Sequence, residues 1–79
     1  MRVQVKLFAT LRRFTENVIP GAPFEVELSE AATLTALLNQ LKIPLEEAKI
    51  TFVNGIIQDP DYVIKDEDEI GIFPPIGGG

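Results

Sequence analysis

The residues best placed to do chemistry are the last three glycines of the chain. Gly77, Gly78 and Gly79 follow the apolar run 72–76, and the chain contains no His, Cys or Trp and a single serine, Ser29. This composition excludes Ser/His/Asp and Cys/His nucleophile arrangements and zinc sites built on His or Cys. The α-carboxylate of Gly79 is therefore the leading candidate for a reacting group.

The residues before these glycines indicate how such a terminus could be presented. Pro74 and Pro75 lack backbone N–H donors and hold φ near −65°, so they should stop a sheet ladder and extend the chain outward. Glycines without a Cβ could then pass through a narrow channel. Two interpretations remain open, a frayed end and an active terminus.

Composition limits the class of protein. Seventy-nine residues with 46% hydrophobic content and no cysteine predict one domain with a modest core and no disulfides. Residues 1–13 alternate polar and apolar, and no run approaches the roughly 20 apolar residues of a membrane span. We therefore expect a soluble, cytoplasmic protein without a membrane partner.

Charge argues against a nucleic-acid partner, because twelve acidic and seven basic residues give a net charge of −5. Half of the acids fall in one stretch, at Asp59, Asp61, Asp66, Glu67, Asp68 and Glu69. We interpret this stretch as a solvated turn region, the alternative being electrostatic guidance toward a basic partner. It lacks the ligand pattern of an EF-hand calcium loop, and we expect no metal site.

Periodicity predicts an alternating order of strands and helices. The predicted elements are a strand over 2–8, a short helix over Ala9–Phe14, a loop over Asn17–Pro23, a strand over Phe24–Leu28, a helix from Thr33 to Leu41 ended by Pro44, a hairpin of Ile50–Val53 and Ile56–Gln58, turns over Asp59–Tyr62 and Asp66–Asp68, and a strand over Glu69–Phe73. Asn54-Gly55 is the hairpin signal, because both central residues of a type I′ turn need positive φ.

This order predicts an α+β roll in which a mixed sheet packs on one main helix. The first and last strands should be neighbours, as in the β-grasp arrangement of ubiquitin-like domains. We expect residues 1–73 to form this domain and residues 74–79 to form an extended C-terminal tail.

Strand parity places two aromatic residues on the sheet face that the helix does not cover. Phe8 alternates with Arg2, Gln4 and Lys6, and Phe73 alternates with Glu69 and Gly71. The rings either pack under loops or form an exposed apolar patch for a partner. Ile57 joins such a patch if it and Phe52 face outward, but Val53 and Ile56 are equally apolar, which leaves the orientation of the hairpin open.

These residues resemble a known family. The segments Lys6–Arg12 (KLFATLR), Val53–Gly55 (VNG), Asp68–Ile70 (DEI) and Ile72–Gly79 (IFPPIGGG) are similar to the MoaD/ThiS family of ubiquitin-like sulfur carriers. The Phe-Pro-Pro element and the chain length favour the small subunit of molybdopterin synthase. Two positions depart from the pattern: Gly77 replaces the usual Ala, Ser or Thr, and Glu67 interrupts an Asp-Gly-Asp turn, which should change the type of that turn.

The resemblance implies a mechanism in which this chain is the carrier and not the catalyst. An E1-like adenylyltransferase uses ATP to adenylate the Gly79 carboxylate, which becomes a thiocarboxylate and gives its sulfur to molybdopterin. Phe8, Ile57 and Phe73 match apolar partner contacts, with Ile76 beside them, and the expected stable partner is the synthase large subunit in a heterotetramer. The chain itself should bind no cofactor.

Three other functions remain open. The carrier could serve a tungsten-pterin, thiamine-thiazole or other sulfur acceptor, or Gly79 could be joined to lysines as in a ubiquitin-like protein modifier. A passive binding module with a frayed end would show no ATP-dependent change at Gly79.

Overall fold

A computed structural model describes residues 1–8, 11 and 22–75. The predicted helix Ala9–Phe14 and loop Asn17–Pro23 lie largely outside the described residues, as do Ile76 and the three glycines. Leu11 is the exception within the predicted helix: it is fully buried, and its backbone N–H donates to the Phe8 carbonyl at 3.1 Å.

Five strands and one α-helix make up the regular structure of the described residues. They are β1 (Arg2–Leu7), β2 (Phe24–Glu27), α1 (Leu34–Leu41), β3 (Ile50–Val53), β4 (Ile56–Ile57) and β5 (Glu69–Phe73), and a short 3₁₀ helix spans Leu45–Glu47. The predicted elements agree with these bounds to within one residue, but the 3₁₀ helix was not predicted. In the described part of the chain, no helix combines the length and apolar character that crossing a membrane requires.

The sheet has the order β2-β1-β5-β3-β4, with β1 parallel to β5 and the other pairs antiparallel. The first and last strands are therefore central neighbours, as predicted. The β-grasp roll inferred from the order of elements is confirmed.

The core lies between the sheet and α1. Val3, Val5 and Leu7 of β1 and Ile70 and Ile72 of β5 are buried. The apolar stripe of α1 contributes Leu34, Leu37 and Leu38, and Leu41 packs at the edge. Because strand residues alternate between faces, the second face of the sheet points away from α1. We call it the uncovered face.

Specific groups fix both ends of α1. The Thr33 hydroxyl accepts a hydrogen bond from the Ala36 N–H at 3.2 Å, so Thr33 is the N-cap that the sequence predicted. At the other end, Lys42 adopts a left-handed conformation with φ 61° and closes the helix through its own backbone N–H. The helix therefore ends at Leu41, three residues before Pro44, and its C-terminus depends on Lys42.

The acidic stretch is not wholly solvated, which corrects the interpretation made from sequence. Asp68 is only 5% exposed. Its carboxylate accepts hydrogen bonds from Asn54 Nδ2 at 2.9 Å, from the Tyr62 hydroxyl at 3.1 Å and from the Lys65 N–H at 2.9 Å. Burial, and then the bond to Asp68, raises the pKa of Tyr62 above its usual range. Asp68 thus ties the hairpin turn to the segment that enters β5.

The turn at Glu67 has a glycine-like backbone conformation. Glu67 has φ 66°, in the left-handed region that glycine occupies without strain. That the type of this turn differs from the family's stays a prediction.

Candidate functional site

The uncovered face of the sheet carries a cluster of aromatic rings at the end of β5. The rings of Phe8 and Phe73 are stacked, with centroids 4.0 Å apart and planes 6° from parallel. Phe52 meets Phe73 edge-on, with centroids 5.4 Å apart. We call these three residues the aromatic platform. Offset stacks and edge contacts of this kind add to the stability gained from burial alone.

The backbone pairing explains why these rings meet. Leu7 is opposite Ile72 in the parallel pair, and the Phe8 N–H donates to the Ile72 carbonyl at 3.1 Å. Phe8 is thereby held beside Phe73 although it lies one residue beyond β1. The shared face inferred from strand parity is confirmed, and the packing is direct contact between the two rings.

The hairpin resolves the orientation that the sequence left open. Val53 is buried, so its neighbour Phe52 points to the uncovered face, and Ile57 is paired with Phe52. Ile57 is 61% exposed and lies on the same face as the platform. Asn54 and Gly55 have φ of 52° and 84°, as the predicted type I′ turn requires.

Phe52 belongs to the platform, but the sequence left its orientation open and did not predict it as a site residue. The signal was present in its pairing with Ile57, but two apolar alternating sets in one strand give no indication of which faces the core. The packing of Val53 in the tertiary structure decides the question.

The platform borders a shallow groove of about 510 Å³ along the uncovered face. Its lining includes all three rings together with Lys6, Glu69 and Gly71. The Lys6 ammonium lies 5.2 Å from the centroid of the Phe8 ring, a cation–π contact. The groove thus combines an apolar floor with one cation and one anion.

Pro74 and Pro75 directly follow the platform. Pro74 is half-buried and Pro75 is exposed, and neither belongs to a strand. The described chain therefore leaves the sheet beside the rings. Ile76, Gly77, Gly78 and Gly79 lie outside the described residues, so their roles stay predictions.

Solved structures of two molybdopterin-converting proteins are similar to this chain. The putative molybdopterin converting factor subunit 1 of Pyrococcus furiosus is 28% identical with a TM-score of 0.71, and the match covers 95% of this chain and 98% of that one. The second is the complex of subunits 1 and 2 of the molybdopterin-converting factor of Helicobacter pylori, where the matched chain is 25% identical with a TM-score of 0.59 and full coverage of both.

A third similar structure supports the fold alone. SAMP1 of Haloferax volcanii is 22% identical with a TM-score of 0.72 and full coverage of both chains. A search of curated protein sequences finds no significant match.

A family model gives the assignment. The model of the ThiS family matches residues 5–79, nearly the whole chain and including the three glycines. With the β-grasp topology and the similar converting-factor structures, this match confirms the family inferred from the residues at the two ends. The chain belongs to the ThiS family of ubiquitin-like sulfur carriers.

Proposed function

We propose that this chain carries sulfur as a thiocarboxylate on Gly79 for the synthesis of molybdopterin. The observation that carries the proposal is the half-buried aromatic platform, beside the exposed Ile57, at the point where β5 passes into Pro74-Pro75. A docking surface at the base of the tail allows a partner to hold the domain while the tail enters its active site. The match to the family model extends to Gly79, which supports the same function.

The chemistry takes place in two steps on a partner enzyme. A carboxylate is a poor electrophile, so an E1-like adenylyltransferase first joins the Gly79 carboxylate to the AMP part of ATP and releases pyrophosphate. A sulfur donor then attacks the acyl carbon and displaces AMP, which leaves the thiocarboxylate. The carrier contributes the acyl group and a binding surface, and the partner contributes the catalytic acids and bases.

The prolines and the glycines of the tail have different roles in bringing Gly79 to the active site of a partner. Residues 1–73 form the domain that docks, and residues 74–79 form the extended tail. Pro74 and Pro75 cannot donate to a sheet ladder, so they direct the chain away from β5. Gly77 and Gly78 add no side chain that would block a narrow channel to the reacting atom.

The partner in whose active site the sulfur passes to the pterin is the large subunit of molybdopterin synthase, in a heterotetramer with two carriers on a central dimer. The complex of subunits 1 and 2 of the Helicobacter pylori factor supports a large-subunit partner. Phe8, Phe73, Ile57 and Ile76 contact it, and Phe52 extends this apolar surface. Large exposed apolar side chains such as Ile57 are typical of binding surfaces when they form a patch.

The experiment follows the mass of the intact protein during incubation with the activating enzyme, ATP and a sulfide source. Formation of the thiocarboxylate raises the mass by the difference between sulfur and oxygen. Deletion of Gly79 should abolish this change while the circular dichroism spectrum stays unchanged. The deleted chain still ends in a glycine carboxylate, but about 3.5 Å short of the required position.

The outcomes separate the proposal from its alternatives. A shortened protein that still forms the thiocarboxylate would contradict the assigned position of the reacting group. Large adducts on lysines would indicate a protein modifier, and no ATP-dependent change would indicate a passive binding module. Affinity purification then distinguishes a pterin-binding synthase subunit from a thiazole synthase as the sulfur-accepting partner.

A further inference from the structure

Gly71 occupies a strand position whose backbone conformation does not require glycine. It lies in the middle of β5 and faces the uncovered side of the sheet, paired with Lys6 on β1 and Phe52 on β3. Gly55 is the described glycine with positive φ, so the conformation of Gly71 is open to any L-residue. Glycine inside a strand destabilises it relative to alanine. A reason other than backbone geometry must therefore account for this residue.

That reason is the space taken by the ring of Phe8. A Cβ built on Gly71 would lie 3.2 Å from Phe8 Cε2 and 4.0 Å from Phe8 Cζ, and 3.9 Å from Phe73 Cε1. The Phe8 ring thus lies over the backbone of β5 at residue 71. In this position it is parallel to the ring of Phe73.

We infer that Gly71 is a positioning residue for partner docking: its lack of a bulky side chain lets the Phe8 ring lie over β5 at residue 71 and complete the aromatic platform. This inference rests on the proposed function for its consequence, because the platform is the surface that binds the synthase large subunit. A side chain at residue 71 acts indirectly, by lifting the Phe8 ring off β5 and disrupting its stack on Phe73.

The displacement of the Phe8 ring should increase with the size of the side chain at residue 71. In Gly71→Ala the Phe8 ring needs to shift by only a few tenths of an ångström, since the single close contact is with the end of a side chain. In Gly71→Val two further methyl groups enter the same space, and the ring must leave. Valine is favoured in strands, so this variant should remain folded.

The first measurement uses the isolated protein and needs no partner. Nuclear Overhauser contacts between the ring protons of Phe8 and Phe73 should be present in wild type and in Gly71→Ala and absent in Gly71→Val. Gln4→Val is the matched control, because it adds the same side chain to the same face opposite Glu69, away from the rings. Ring contacts that persist at wild-type shifts in Gly71→Val would overturn the inference.

The second measurement is a double-mutant cycle with the synthase large subunit as the ligand. Gly71→Val should weaken binding about 3- to 10-fold, the range expected from loss of one aromatic pair, but less than about 2-fold when Phe8→Ala is already present. An equal loss in both backgrounds would show that residue 71 acts without Phe8 and would overturn the inference. If wild type does not bind the large subunit, the proposed partner is wrong, while the ring contacts still decide the role of Gly71.

Discussion

At the residue scale, Asp68 shows that an acid in a charged stretch can be part of the core structure. Its carboxylate accepts bonds from a turn side chain, a tyrosine hydroxyl and a backbone N–H. Asn54 is held from the other side as well, since its Oδ1 accepts from the Glu69 N–H at 2.9 Å. The two side chains together join the hairpin turn to the first residue of β5.

Replacement of Asp68 by alanine should therefore lower the free energy of unfolding by about 2–4 kcal/mol. The change leaves the donors of Asn54, Tyr62 and Lys65 without their acceptor in a partly buried site. Urea denaturation followed by circular dichroism measures the loss. Asp61→Ala, at an exposed position of the preceding turn, is the control and should change stability by less than about 0.5 kcal/mol. Equal stability of the two variants would contradict a structural role for Asp68.

At the scale of elements, the β3–β4 hairpin depends on the conformation of its turn. A Cβ on Gly55 would meet nothing within 4 Å, but φ is 84°, where an L-residue is strained. Gly71 is the opposite case, with an unstrained backbone and a ring over it. Substitution of the two glycines is thus limited for different physical reasons.

Gly55→Ala should lower the free energy of unfolding by about 1 kcal/mol, because the cost comes from the left-handed backbone alone. The slope of the urea transition should not change, since the fold and the exposed area are kept. The reciprocal variant Glu67→Gly removes a Cβ from a left-handed residue and should not destabilise the protein. Undiminished stability of Gly55→Ala would mean that the turn relaxes to another type.

At the scale of the whole molecule, the proposed docking surface lies where the described chain leaves the sheet. The platform is on the uncovered face at the end of β5, and the chain leaves the sheet there through Pro74 and Pro75. A partner that takes the tail into its active site covers this face. The activating enzyme and the synthase large subunit should therefore exclude each other.

Competition binding tests this exclusion. With the large subunit present at ten times its own Kd, the apparent Kd of the carrier for the activating enzyme should rise about 11-fold. Phe73→Ala should weaken the binding of the carrier to the activating enzyme and to the large subunit, because both partners are expected to contact the platform. A stable complex of all three proteins would contradict the shared surface.

Local sequence patterns were sufficient to predict the five strands and α1. Period-two alternation identified β1 and β5, the spacing of Leu34, Leu37 and Leu38 identified α1, and Asn54-Gly55 identified the hairpin. These signals are local, since they depend on neighbours within one turn or one strand. The lack of His and Cys excluded several kinds of active site, and the resemblance of the segments at the two ends indicated the carrier family.

The orientation of the apolar residues in β3 and the burial of one acid could be seen only in the folded structure. Phe52 and Val53 are equally apolar, and packing of Val53 in the core turns Phe52 outward. Asp68 is buried where the side chains of Asn54, 14 residues away, and Tyr62, six residues away, both donate hydrogen bonds to it. In the sequence Gly71 is simply one residue of a strand, and the position of the Phe8 ring over it appears only in the folded structure. These outcomes depend on contacts between separate elements, which local periodicity does not encode.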